Sequence, residues 1–63
     1  MSSGAAELAS VATALAELAR RVAAIADVYA REARDDLAME LYRAEQALIT
    51  AQRSLARVLD GPR

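Results

Sequence analysis

The larger apolar residues of the first half, Leu8, Val11, Leu15, Leu18, Val22, Ile25 and Tyr29, recur at alternating spacings of three and four. That is a heptad with these residues at its a and d positions, and it predicts an amphipathic α-helix over about 5–33. Two rows made wholly of alanine run beside it, Ala5, Ala12, Ala19, Ala26 and Ala33, then Ala9, Ala16, Ala23 and Ala30. They widen the apolar arc to roughly 160°, bulky on one side and lined by methyl groups on the other. A neighbouring helix can approach closely on the alanine side.

The second half repeats the pattern with Leu37, Leu41, Ala44, Leu48, Ala51, Leu55 and Val58, which predicts a helix over about 37–59. A further row, Tyr42, Ile49 and Ala56, lies roughly 100° around that helix from the leucines. One seam on each helix can bury against the other helix of a hairpin. The remaining apolar rows would stay wet in a monomer, and they call for a second hairpin.

Between the halves lies REARDDLAME, residues 31–40, with no glycine or proline to mark a break. Continuing the first heptad past Tyr29 would put Glu32 and Asp36 in the seam, whereas the second seam starts one residue late, at Leu37. A single continuous helix is the alternative; it would absorb the skip by local unwinding near Ala33, helped by the Arg31–Asp35 spacing. Three features favour a turn at about 33–36 instead. Arg31 and Arg34 suit a helix C-terminus, and Asp35, Asp36 and Glu40 suit an N-terminus, with either aspartate a good N-cap. Glu32–Asp36 and Asp36–Glu40 would be repulsive i, i+4 pairs in an unbroken helix.

At the outer ends, Ser2, Ser3 or Gly4 is placed to cap the first helix, with Glu7 in its first turn. Leu59-Asp60-Gly61-Pro62 is a stop signal that leaves 60–63 as a short tail. The predicted fold is all-α: a single domain over 1–63, built as a two-helix antiparallel hairpin that dimerises into a four-helix bundle.

Composition sharpens the case for self-association. A chain of 63 residues buries only about 60% of its unfolded surface, so it needs a disulfide, a metal or a partner. It has no Cys and no His, and its apolar content of 56% is about half alanine, without Phe or Trp. Disulfides and the usual zinc, haem and iron–sulfur ligand sets are therefore absent, and no cofactor is expected. Oligomerisation is the remaining remedy. The net charge of −1 gives no global attraction to nucleic acid or membrane. Every basic residue is arginine, which with the alanine excess suggests a GC-rich coding sequence. No uncharged run approaches the ~20 residues of a membrane span, and the first residues lack the pattern of a signal peptide. A cytoplasmic protein is the expectation.

Little in the chain points to chemistry. Glu32, Asp36 and Glu40, around the turn, have the oxygen chemistry of a hard-cation site, but capping a helix and solvating a loop accounts for them. The Glu-x-x-His signature of di-iron bundles is missing, as are nucleophile motifs and a glycine-rich phosphate loop. An enzyme is not expected. Glu45 and Gln52 lie one heptad apart within the apolar arc of the second helix, where they fix partner or register, or else sit at the rim with their heads in water. Tyr29 and Tyr42 should pack near the turn with their hydroxyls reaching water or nearby charges.

In length and layout the chain resembles the small ROP-type hairpins, which dimerise into four-helix bundles and bind paired RNA loops. The resemblance covers the architecture and no motif. The lysine-bearing RNA face of that family has no counterpart here, so only the bundle is implied. The WxG turn of the WXG100 hairpins is also missing.

The function expected is that of a non-enzymatic helical interaction module, an adaptor, regulator or small assembly subunit. It would self-associate as a homodimer or higher oligomer, or take up a helix of a larger protein. Self-association is assigned to Leu8, Leu15, Ala19, Val22, Ala26, Leu41, Tyr42, Leu48, Ile49 and Leu55. The alternative is a nucleic-acid-binding regulator using Arg20, Arg21, Arg53 and Arg57, which share one level of an antiparallel hairpin. Glu17 can pair with Arg21, and no aromatic lies among them for base stacking. Membrane binding is not expected, since the chain lacks interfacial Trp or Phe and an excess of basic residues.

Overall fold

The computed structural model describes residues 3–61. Two α-helices, α1 (Ser3–Arg31) and α2 (Asp35–Asp60), pack against each other as a hairpin. Alanine, leucine, glutamate and arginine fill both helices and lose little on becoming helical. In a folded protein most helical stability comes from the packing of an amphipathic face.

The reversal occupies 32–34, slightly before the stretch the heptads point to. It is built from backbone hydrogen bonds. The Arg34 N–H donates to the Tyr29 carbonyl at 2.9 Å and the Ala33 N–H to the Ala30 carbonyl at 3.2 Å. This is the Schellman pair that satisfies the last carbonyls of a helix. The motif needs a left-handed residue, normally glycine, and here Ala33 takes that role at φ 59°. A side chain there costs about 1–2 kcal/mol relative to the right-handed conformation. The continuous-helix alternative is excluded by this geometry.

Asp35 and Asp36 do not cap α2 as N-caps. Arg34 occupies that position without a side-chain cap bond, and both aspartates sit in the first turn. Their charges face the positive end of the helix dipole, while Arg31 in the last turn of α1 faces the negative end of its own. The charges of the turn thus punctuate the chain through the dipole. At the far end, the Gly61 N–H closes α2 onto the Val58 carbonyl at 3.1 Å, with φ 83° at the glycine. Of the candidate N-terminal caps, Ser2 lies outside the described residues and Gly4 is inside α1; Pro62 also lies outside them. Because α1 begins at Ser3, Glu7 follows its first turn.

The hairpin measures 50 × 19 × 10 Å, two helices wide and one helix thick. Its radius of gyration is 14.7 Å, against about 10.6 Å for a compact globule of this length. A layer this thin has no interior away from both surfaces. Its buried residues are all alanines, Ala12, Ala19, Ala26 and Ala38, and no larger side chain is fully buried among the described residues.

Replacing Ala33 with glycine should relieve the left-handed cost while adding unfolded-state entropy. Ala33→Gly is expected to stabilise the fold by about 0.5–1 kcal/mol, read as a raised urea midpoint at unchanged slope.

Candidate interaction surface

Burial identifies which stripe of each helix meets the other. On α1 the centre of the contact is Ala12, Ala19 and Ala26, 8%, 4% and 0% exposed. Leu8, Leu15, Val22 and Tyr29 are half-buried to one side of that row, and Ala16 and Ala23 to the other. On α2 the central row runs from the buried Ala38 through Glu45 and Gln52, both half-buried. Leu41, Leu48 and Leu55 flank it on one side, and Tyr42 and Ile49 on the other, all half-buried.

The contact is therefore rotated from the large-residue heptads by about one row. On α1 the alanines replace Val11, Leu18 and Ile25 as alternate members of the buried stripe, and those three are 44%, 42% and 51% exposed. On α2 the stripe passes through Glu45 and Gln52 in place of Ala44 and Ala51, which are exposed. Glu45 and Gln52 are half-buried in the stripe that faces the methyl row of α1, where side chains of this length can keep their polar heads in water. No buried side-chain nitrogen or oxygen among the described residues lacks a hydrogen-bond partner.

One side-chain hydrogen bond fixes which flanks share a face. The Tyr42 hydroxyl donates to an Asp27 carboxylate oxygen across the seam. Asp27 follows Ala26 and so lies to one side of the α1 row; Tyr42 lies to the corresponding side of the α2 row. Thr13, Arg20, Gln46 and Arg53 fall on the same surface by helical periodicity. The opposite flanks, Val11, Leu18 and Ile25 of α1 with Leu37, Ala44, Ala51 and Val58 of α2, must then share the other face. Between them run Leu8, Leu15 and Val22 and Leu41, Leu48 and Leu55. No charged residue belongs to any of these rows. One face of the slab carries no charge; the other carries the charged and polar side chains together with Met39, which is 57% exposed.

The residues singled out from the sequence divide accordingly. Ala19 and Ala26 are spent inside the hairpin. Leu8, Leu15, Val22, Leu41, Leu48 and Leu55 line the middle of the apolar face, next to the seam, whereas Tyr42 and Ile49 flank the seam on the other face. Val11, Leu18, Ile25, Ala44, Ala51 and Val58 complete the apolar face; their signal was the a/d heptad itself, aimed away from the partner helix. The four arginines do not converge. Arg20 and Arg53 belong to the polar face, and Arg21 and Arg57 to the outer edges of the slab. Arg20 is already paired with Glu17, and Arg57 donates to Ser54 Oγ at 3.0 Å. Arg43 lies 3.7 Å from Glu40, again at the exposed surface.

Among the described residues no three acidic side chains converge to hold a metal ion. An open depression of about 430 Å³ near the end of α2 is lined by Ser54, Arg57, Val58 and Gly61, all from one helix end. Among the described residues, no helix is long and apolar enough to cross a membrane. Comparison with protein-family models, with curated proteins and with solved structures finds no match.

Titration of Tyr42 reports on its bond to Asp27. The hydrogen bond to Asp27 holds the phenol of Tyr42 above its ordinary pKa of 10.0, with smaller upward contributions from burial and from the charges of Asp27 and Glu45. The folded value is raised, so the bond supports the hairpin below pH 10 and that support is lost as pH climbs through the raised value. In a Tyr29→Phe background the phenolate absorbance of Tyr42 should reach half-height above pH 10.0, and adding Asp27→Ala should bring the midpoint down.

Proposed function

We propose that the chain is a non-enzymatic helical protein–protein interaction module whose first act is self-association into a homodimer, a four-helix bundle made of two hairpins. The observation that carries this reading is the mismatch between what the hairpin buries and what it leaves out. Only four alanines are buried and the leucines of the seam are half-buried, while Val11, Leu18, Ile25 and Val58 are 42–62% exposed. A buried methyl contributes about 0.8 kcal/mol, so four buried alanines and a seam of half-buried leucines leave much of the chain's apolar burial unrealised against the ordering of two long helices. Covering the exposed leucine, isoleucine and valine side chains supplies the missing burial.

The reading assigns no catalytic residue and no cofactor. A dimer of this kind works as an adaptor, regulator or assembly subunit, presenting its polar faces outward. The nucleic-acid alternative draws no support from the arginines, which are spread over different surfaces and partly paired.

Sedimentation equilibrium tests the proposal. A dimer mass at micromolar concentration is expected, with helicity and dimer lost together on dilution. A well-folded monomer under those conditions would count against self-association.

A further inference from the structure

Dimerisation alone leaves open which surface is used and how the two copies are oriented. We infer that a second copy of this chain covers the Val11–Leu18–Ile25 and Ala44–Ala51–Val58 face, with α1 of each copy lying over α2 of the other and both turns at the same end. This rests on the proposed self-association and specifies its face and topology.

The area fits a second copy. The hairpin exposes 4790 Å², whereas a compact monomer of 6.7 kDa exposes about 3,900 Å² by the scaling of folded proteins. The excess of roughly 900 Å² is close to the ~800 Å² that each partner contributes to a standard-size interface. The face contains no charge that would be stranded on burial. A net charge of −1 per chain sets only weak repulsion between copies. The polar face, with Asp27, Arg20 and Arg53, would strand charges if it were buried, and so it remains outside.

The orientation follows from the heights of the residues. The bond between Asp27 and Tyr42 sets those positions level across the antiparallel pair. Stepping along both helices from there sets Ile25 level with Ala44, Leu18 with Ala51 and Val11 with Val58. A two-fold axis parallel to the helices lays Ile25 over the other copy's Ala44, and Leu18 over its Ala51. Large then meets small at two of the three levels, on both edges of the slab, and the layers keep an even separation. An axis across the helices would instead lay Leu18 on its own symmetry mate and Ala51 on its own, wide at one edge and pinched at the other. Size complementarity selects the parallel axis. The Tyr42–Asp27 faces then point away from each other, on opposite outer surfaces of the bundle.

Single cysteines test face and orientation together, because Leu18→Cys and Ala51→Cys keep the surface apolar. In a glutathione redox buffer, an equimolar mixture of the two variants should give the mixed disulfide dimer, and each variant alone should give little. Disulfides formed by each variant alone would overturn the parallel axis. A dimer by sedimentation with no disulfide in any combination would overturn the choice of face, leaving self-association intact. A folded monomer would overturn both. As a second readout, Leu18→Glu should weaken dimerisation more than about 100-fold, since it acts twice in a symmetric interface, whereas Gln46→Glu on the polar face should change it by less than about threefold. Equal effects of the two, or a larger one for Gln46→Glu, would contradict the assignment.

Discussion

The structure depends on a contact made by methyl groups. Ala12, Ala19 and Ala26 form the line along which α1 meets α2, and with Ala38 they are the whole of the fully buried set among the described residues. A helix that offers a bare methyl row to its neighbour has room beside it for long side chains, and Glu45 and Gln52 occupy the central stripe of α2 with no stranded buried polar atom among the described residues. The same choice turns the valine, leucine and isoleucine row of α1 outward. Close helix pairing and an uncovered apolar face are thus two consequences of one stripe of alanines.

Much of this architecture is legible in the chain. The period of the large residues specifies two helices, and the one-residue slip between the two heptads, together with the placement of Arg31, Asp35 and Asp36, specifies a reversal. What the pattern does not carry is the rotation of each helix about its axis. An apolar arc of roughly 160° contains more than one stripe able to serve as the seam, and hydropathy ranks the leucine stripe above the alanine stripe. Packing ranks them otherwise, because the inner contact has to accept Glu45 and Gln52. The turn is hidden for a different reason. Its left-handed residue is Ala33, with no glycine to announce it, and the signal lies in the heptad slip and the flanking charges.

The candidate surface was correspondingly half visible. Leu8, Leu15, Val22, Leu41, Leu48 and Leu55 lie along its middle because they flank the seam whichever way the helices rotate. Ala19 and Ala26 belong to the interior, and Tyr42 to the polar side through its bond to Asp27. The arginines that share a level in sequence register separate in space, since residues adjacent in number, such as Arg20 and Arg21, point about 100° apart on a helix. The surfaces such a chain presents depend on helix rotation more than on composition.

The central claim is that the hairpin is stable because a second copy covers its apolar face. The most direct measurement is the thermal midpoint of the helical signal over a hundredfold range of protein concentration. Two-state unfolding of a dimer to two unfolded chains requires the midpoint to rise with concentration, with a single transition throughout. A midpoint that stays constant over that range, in a fully helical protein, would mean that the alanine seam alone holds the fold, and the claim that a second copy is required would be contradicted.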